Sequence, residues 1–447
     1  MPPKHRLLAV IALALLASAG CELTDRDLDA FQTTATGPAK IRAVLEDGSM
    51  DPALRTRAAM LLLDLDRHNL HGPDELQREL SSLTSDSLAR LAPPLSRALL
   101  ARMQTDVGKD PSSNALRAKD AAEGALLLLA PKQRVVLGDM LIRWMVVDVA
   151  RRADAGKASL EALSAKLGAE AGEALLEGLS SDVPLPDLLR VSVLLDRHAT
   201  ASLRERSAGR LLDIARHLRT PAGLLPALGR FTDQAGVREL LIATARDKSR
   251  SVPDRAQALT LLLHHATESE LLPLLGLALD EEEHLALREL AVVRAGETGS
   301  GEALPGLLIL VGDRSHARLR MLAGEQVLAL GGPKMLASFF RALPRGWDVP
   351  YAREEIDAYS KHIHRFTPDI ALLMLLGEKL HSSLWWPRVI ALRYFAAQGS
   401  FEDLWRLRKH EGDTAPILGE GWPRGYTVGQ EATVCVNALN ERLLRAR

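Results

Sequence analysis

Histidines stand one or two residues apart at only two places in this chain, His264-His265 and His362-x-His364. Paired imidazoles are a common start to a metal site, but ligands sharing one helix face stand three or four residues apart. Spacings of one and two aim the rings apart, so no metal or cofactor is expected at either pair. The sequence has no Gly-x-x-x-x-Gly-Lys-Ser/Thr, Gly-x-Gly-x-x-Gly, Gly-x-Ser-x-Gly, His-Glu-x-x-His or Cys-x-x-Cys, so no catalytic residue is assigned. A basic run at Arg204, Arg206, Arg210, Arg216 and Arg219 is interleaved with Glu205 and Asp213, as in a solvated face rather than a polyanion site. Net charge is -1, from 56 basic and 57 acidic residues, which argues against a nucleic-acid partner.

The aromatic side chains offer a second kind of chemistry. Fourteen of the 17 aromatics, from Phe339 onward, lie in the last quarter of the chain. Trp385, Trp386, Trp405 and Trp422 are candidate partner-binding residues, since Trp is enriched at binding hot spots. The competing reading is a cap in which large rings seal the last repeats. Neighbouring helical residues point about 100° apart, so one ring of Trp385-Trp386 is expected near the surface.

Cys21 is the candidate lipidation site. Lys4 and Arg6 precede a 13-residue apolar run, Leu7 to Ala19, and small residues lead to the Cys. The run is too short to span a bilayer and reads as a secretory segment. Residues 1–21 resemble a bacterial lipoprotein signal, in which the Cys thiol takes a lipid and becomes the new N-terminus. Ser18 stands where that pattern has an aliphatic residue. The alternative is cleavage after Ala17-Ser18-Ala19, which releases a soluble periplasmic protein. Glu22 in place of Asp implies sorting to the outer membrane, facing the periplasm. With Cys21 lipidated, Cys435 is the one remaining cysteine. It is expected as a small buried residue of the last helix.

The elements that position these residues follow a repeat. Hydrophobic residues make up 47% and aromatics 4% of the chain, a Leu/Ala-rich mix that favours helices over strands. Arg-x-x-Ala recurs at Arg255, Arg288, Arg320 and Arg388, and Arg353 fills the one gap with Ile356 in place of Ala. Leu272, Leu304, Leu336, Ile370 and Leu404 keep step, as do Asp247, Asp280 and Asp313. A period of 32 to 35 residues indicates stacked pairs of amphipathic helices that bury their apolar faces only against neighbours. Pro273 suits a first helical turn, and Asp280 to Glu283 marks a turn before the second helix.

These motifs resemble HEAT repeats, on Leu287-Arg288-Glu289-Leu290-Ala291, Leu319-Arg320-Met321-Leu322-Ala323, Leu272-Pro273 and Leu304-Pro305. The resemblance implies an all-α fold, a right-handed α-solenoid of stacked antiparallel helix pairs forming a single elongated repeat domain. It also implies a structural ladder between repeats through Asp280, Arg288, Asp313 and Arg320. The match is good over 245 to 410. An earlier unit at Asp51 to Ala58 places Arg55 200 residues before Arg255. The expected organisation is a signal at 1–21, a flexible tether at 22–40 and degenerate repeats at 41–240. Clearer repeats follow at 241–410, then a loop and capping helix at 411–447. HEAT-like deoxyhypusine hydroxylases hold iron with several His-Glu pairs, and here only His410-Glu411 occurs. The expected function is a lipid-anchored scaffold or adaptor, not an enzyme, binding another cell-envelope protein. The alternative is a HEAT-like enzyme, such as a lyase, working on an aromatic-lined groove.

Overall fold

The computed structural model describes residues 23–67, 70–105, 109–126, 128–217, 221–345 and 349–445. The signal segment, Cys21, Arg219 and Trp347 lie outside them. The fold is all-α, with helices packed in neighbouring pairs. Among the described residues the only sheet is a two-residue antiparallel pair, Asp66–Arg67 with Leu70–His71. Contacts divide the chain into two units between Phe231 and Thr232. The change of repeat expected at residue 240/241 falls inside the helix Ala235–Arg246, which belongs whole to the second unit.

In the first unit, the helices Pro52–Leu63, Ser85–Gln104, Pro131–Val146 and Gly172–Glu177 pack one on the next. Gly37–Glu46, Gly72–Ser82 and Ser113–Leu126 form the accompanying layer. The tether expected at 22–40 is a helical pair instead. Thr24 and Asp27 form a capping box that starts the helix Asp25–Gln32, and Leu28 is buried. The Thr- and Gly-rich stretch is only the turn into Gly37–Glu46, with Pro at its start. One docked apolar residue and one cap outweigh a composition that resembles a linker.

The second unit repeats one construction. Its second-layer helices Val252–Leu261, Leu285–Glu297, Ala317–Gly331, Arg353–Ile363, Trp385–Gln398 and Val428–Arg445 each pack on the next. The first-layer helices are Ala235–Arg246, Leu271–Leu279, Leu304–Val311, Leu336–Ala342, Ile370–Lys379 and Asp403–Arg408. Local chemistry sets the boundaries. A Thr267/Glu270 capping box opens the turn before Leu271–Leu279. Asp280 ends that helix with extended backbone and accepts the Glu282 amide at 3.1 Å, an Asx turn. The His284 ring then caps Leu285–Glu297. Asp47 and Asp247 make the same turn with the Ser49 and Ser249 amides, at 2.9 and 3.0 Å.

The small residue of the signature is buried at Ala58, Ala258, Ala291, Ala323 and Ala391, and Ile356, which takes its place in one repeat, is buried too. The Leu272 series is less uniform than its spacing predicts. Leu336 and Leu404 are buried, whereas Leu272 and Ile370 are exposed. In these short first-layer helices equal spacing does not carry equal burial.

Candidate functional site

Charged side chains at the repeat seams are committed to the fold. Arg255 Nε donates to the Ala245 carbonyl at 2.7 Å, and Arg288 Nε to the Ala278 carbonyl at 3.0 Å. Arg55 Nε does the same to Leu45 at 2.9 Å. Each acceptor sits in the last turn of the preceding helix, where carbonyls lack intrahelical partners and a cation opposes the dipole. The other guanidinium nitrogens reach the next repeat. Arg255 bonds Glu283, with Nη1 to Oε1 at 3.0 Å, and Arg288 Nη2 stands 3.8 Å from Asp313. Asp280 pairs with Lys248 at 2.9 Å rather than with an arginine. That lysine and the Glu282 amide hold the Asp280 carboxyl below its usual range. Asp313 accepts the Ser315 and His316 amides at 2.8 Å, and these bonds outweigh burial and lower its pKa.

Arg320 takes a different partner. Its Nε and Nη2 grip Glu355 at 2.7 and 2.8 Å, and Nη1 donates to the Asp313 carbonyl at 2.7 Å. Its guanidinium lies 4.8 Å from the Tyr351 ring centre. The Tyr359 hydroxyl donates to Glu355 Oε1 at 2.8 Å. All four side chains are buried. Glu283 and Glu355 are the partners that periodicity alone did not single out, because each stands at its own distance from its arginine.

The four tryptophans do not form one surface. Trp385 and Trp386 are 5% and 2% exposed, which overturns the expectation that one faces solvent. Each has its own cover. Trp386 stacks on Phe340 with centroids 6.0 Å apart and touches Tyr351 at 5.5 Å. Trp385 meets Tyr351 edge-on at 6.0 Å and Trp422 at 6.5 Å. The Gly419–Tyr426 stretch supplies that second cover, pinned where Arg353 N donates to the Glu420 carbonyl at 2.8 Å. Trp422 is half-buried between Tyr426, Arg353 and Arg393. Only Trp405 is exposed, at 56%, on a different helix from the pair.

A different surface emerges on the second layer. Ala286, Glu289, Leu290 and Val293 share the outward face of Leu285–Glu297, since they stand three or four residues apart. Arg318, Met321, Leu322 and Glu325 occupy the same face of Ala317–Gly331. The two helices are packed neighbours, and Arg318 reaches across to Glu289 at 3.2 Å. Leu290, Val293, Met321 and Leu322 therefore form a partly exposed apolar strip. Polar positions flank it: Gln257 and Thr260 on one neighbouring helix, Asp357 and Lys361 on the other. A sequence signal existed in the i, i+3, i+4 positions between the signature arginines.

The remaining titratable groups act locally. His362 lies 3.7 Å from Glu325, and burial lowers its pKa. His364 is more enclosed, with Nε2 buried and unbonded; burial and Arg393 push its pKa down. His264 sits in the left-handed region, φ 61°, beside Glu297. The basic run is largely paired, Arg204 with Asp196, Arg206 with Glu173 and Arg216 with Asp213. Among the described residues no group of three or more His, Cys, Asp or Glu is placed to hold a metal. No protein-family model and no curated protein matches the chain.

Proposed function

We propose that the protein is a lipid-anchored, periplasm-facing scaffold of HEAT-repeat type that binds another envelope protein through its second-layer surface. The carrying observation is the partly exposed strip Leu290, Val293, Met321 and Leu322, bordered by charged and polar residues. An apolar centre with a polar rim is the usual anatomy of a protein interface. The seam arginines support a structural role for the ladder, because each is engaged by a helix end or a carboxylate of the next repeat. The anchor reading rests on Cys21 directly after the apolar run, with the outer membrane as its expected destination.

Two experiments test this reading. Cys21→Ala should move the protein from the membrane fraction to the soluble periplasm; wild-type protein already soluble without detergent would refute the anchor. Leu322→Glu places a charge at the centre of the strip. It should abolish cross-linking to the envelope partner while leaving circular dichroism and melting nearly unchanged. Retained cross-linking would refute the surface.

A further inference from the structure

Three residues, Glu22 to Thr24, separate Cys21 from the helix Asp25–Gln32. That helix is fixed from its first turn. Thr24 donates its amide and its hydroxyl to Asp27, at 2.8 and 2.7 Å. Leu28 is fully buried, and Asp29 pairs with Arg57 at 2.6 Å. The helix packs on both Gly37–Glu46 and Pro52–Leu63. It belongs to the stack, and the leash to Cys21 cannot lengthen without breaking the cap and withdrawing Leu28.

Reach then decides what this end can meet. Three residues span at most about 11 Å. Acyl chains on Cys21 lie in the hydrocarbon, which puts the residue at the inner border of a headgroup layer about 5–7 Å deep. About 5 Å then remains between the headgroups and Thr24. A helix is about 10 Å thick, so no protein fits in that gap. Charge gives this end no hold on lipid by itself, since Asp25, Asp27 and Asp29 outnumber Arg26 among the exposed charges of the helix.

We propose that lipid on Cys21 holds the start of Asp25–Gln32 against the bilayer headgroups, so that the protein stands on its membrane by its first helical pair instead of swinging on a tether. Covalent reach imposes the contact, not affinity. The inference rests on the anchor reading of Cys21 and adds to it the surface that faces the lipid.

The test uses the full chain, processed in cells and reconstituted from the membrane fraction into phosphatidylcholine vesicles. The vesicles carry a phosphatidylethanolamine with a photoactivatable diazirine on its headgroup. After illumination, mass spectrometry maps the lipid adducts along the chain. Adducts per residue over 24–46 are expected to exceed those over the rest of the chain by about tenfold or more. A second form carries about 20 Gly/Ser residues inserted after Leu23, outside the capped helix, which lets the end drift roughly 25 Å from its anchor. There the excess should fall to the level of the rest of the chain. An even map in the parent overturns the proposal, as does an excess that the insertion leaves unchanged. Membrane-bound protein with an even map overturns this inference alone and leaves the anchor standing. Wild-type protein recovered soluble without detergent overturns both.

Discussion

Arg288 and Arg320 occupy the same place in the same signature, 32 residues apart, yet they hold the molecule in different ways. Arg288 gives its Nε to a helix-end carbonyl and stands 3.8 Å from Asp313. Arg320 gives its Nε to Glu355 and forms a closed group with Tyr351 and Tyr359. In the regular repeats the arginine terminates a helix, whereas toward the aromatic end it is the centre of a polar core. The lesson is that a repeat signature specifies a buried cation, and the acid that answers it depends on the local turn.

The sharpest way to break that contrast is to remove one member of the closed group. Glu355→Ala leaves the Arg320 charge buried and should cost about 3–5 kcal/mol in denaturant melts. Trp386→Ala, in the same aromatic end, should lose a similar amount as a buried ring. Gly324→Ala comes next. A methyl there would collide with the Tyr359 and Phe339 rings, and overpacking of this kind costs about 1–3 kcal/mol. In the regular repeats, Arg288→Met strips one helix-end carbonyl of its donor and should cost about 1–3 kcal/mol. If Arg288→Met proves as damaging as Glu355→Ala, the two regions are held alike and the contrast fails.

Acid should separate the regions further. His364 has a pKa held below its ordinary 6.5, so the unfolded chain takes up the proton first as pH falls. Stability is therefore complete above about pH 6.5 and declines as pH drops toward the folded-state value. His364→Asn should flatten the fall in melting temperature between pH 7 and pH 5, and an unchanged slope would clear His364 of the effect. The smallest expected change is Trp405→Ser, within about 0.5 kcal/mol, because that ring is exposed.

Much of the fold could be read from spacing. Ala258, Ala291 and Ala323 are uniformly buried because helix pairs must approach closely at one place per repeat. The candidate surface was harder to find. Trp385 and Trp386 are covered by Tyr351 and Trp422, residues of irregular segments outside the periodic pattern. A helical wheel cannot anticipate a lid supplied by a loop. Residues 25–40 misled for the opposite reason, since a polar composition concealed the single anchoring Leu28.

The last helix contains a built-in reporter. Cys435 is 3% exposed in Val428–Arg445, and burial pushes its thiol up to about 12. An alkylating reagent needs both access and thiolate, so at neutral pH the native protein should react only when this terminal helix detaches. The modification rate then measures how often the stack opens at its end, separately from global unfolding.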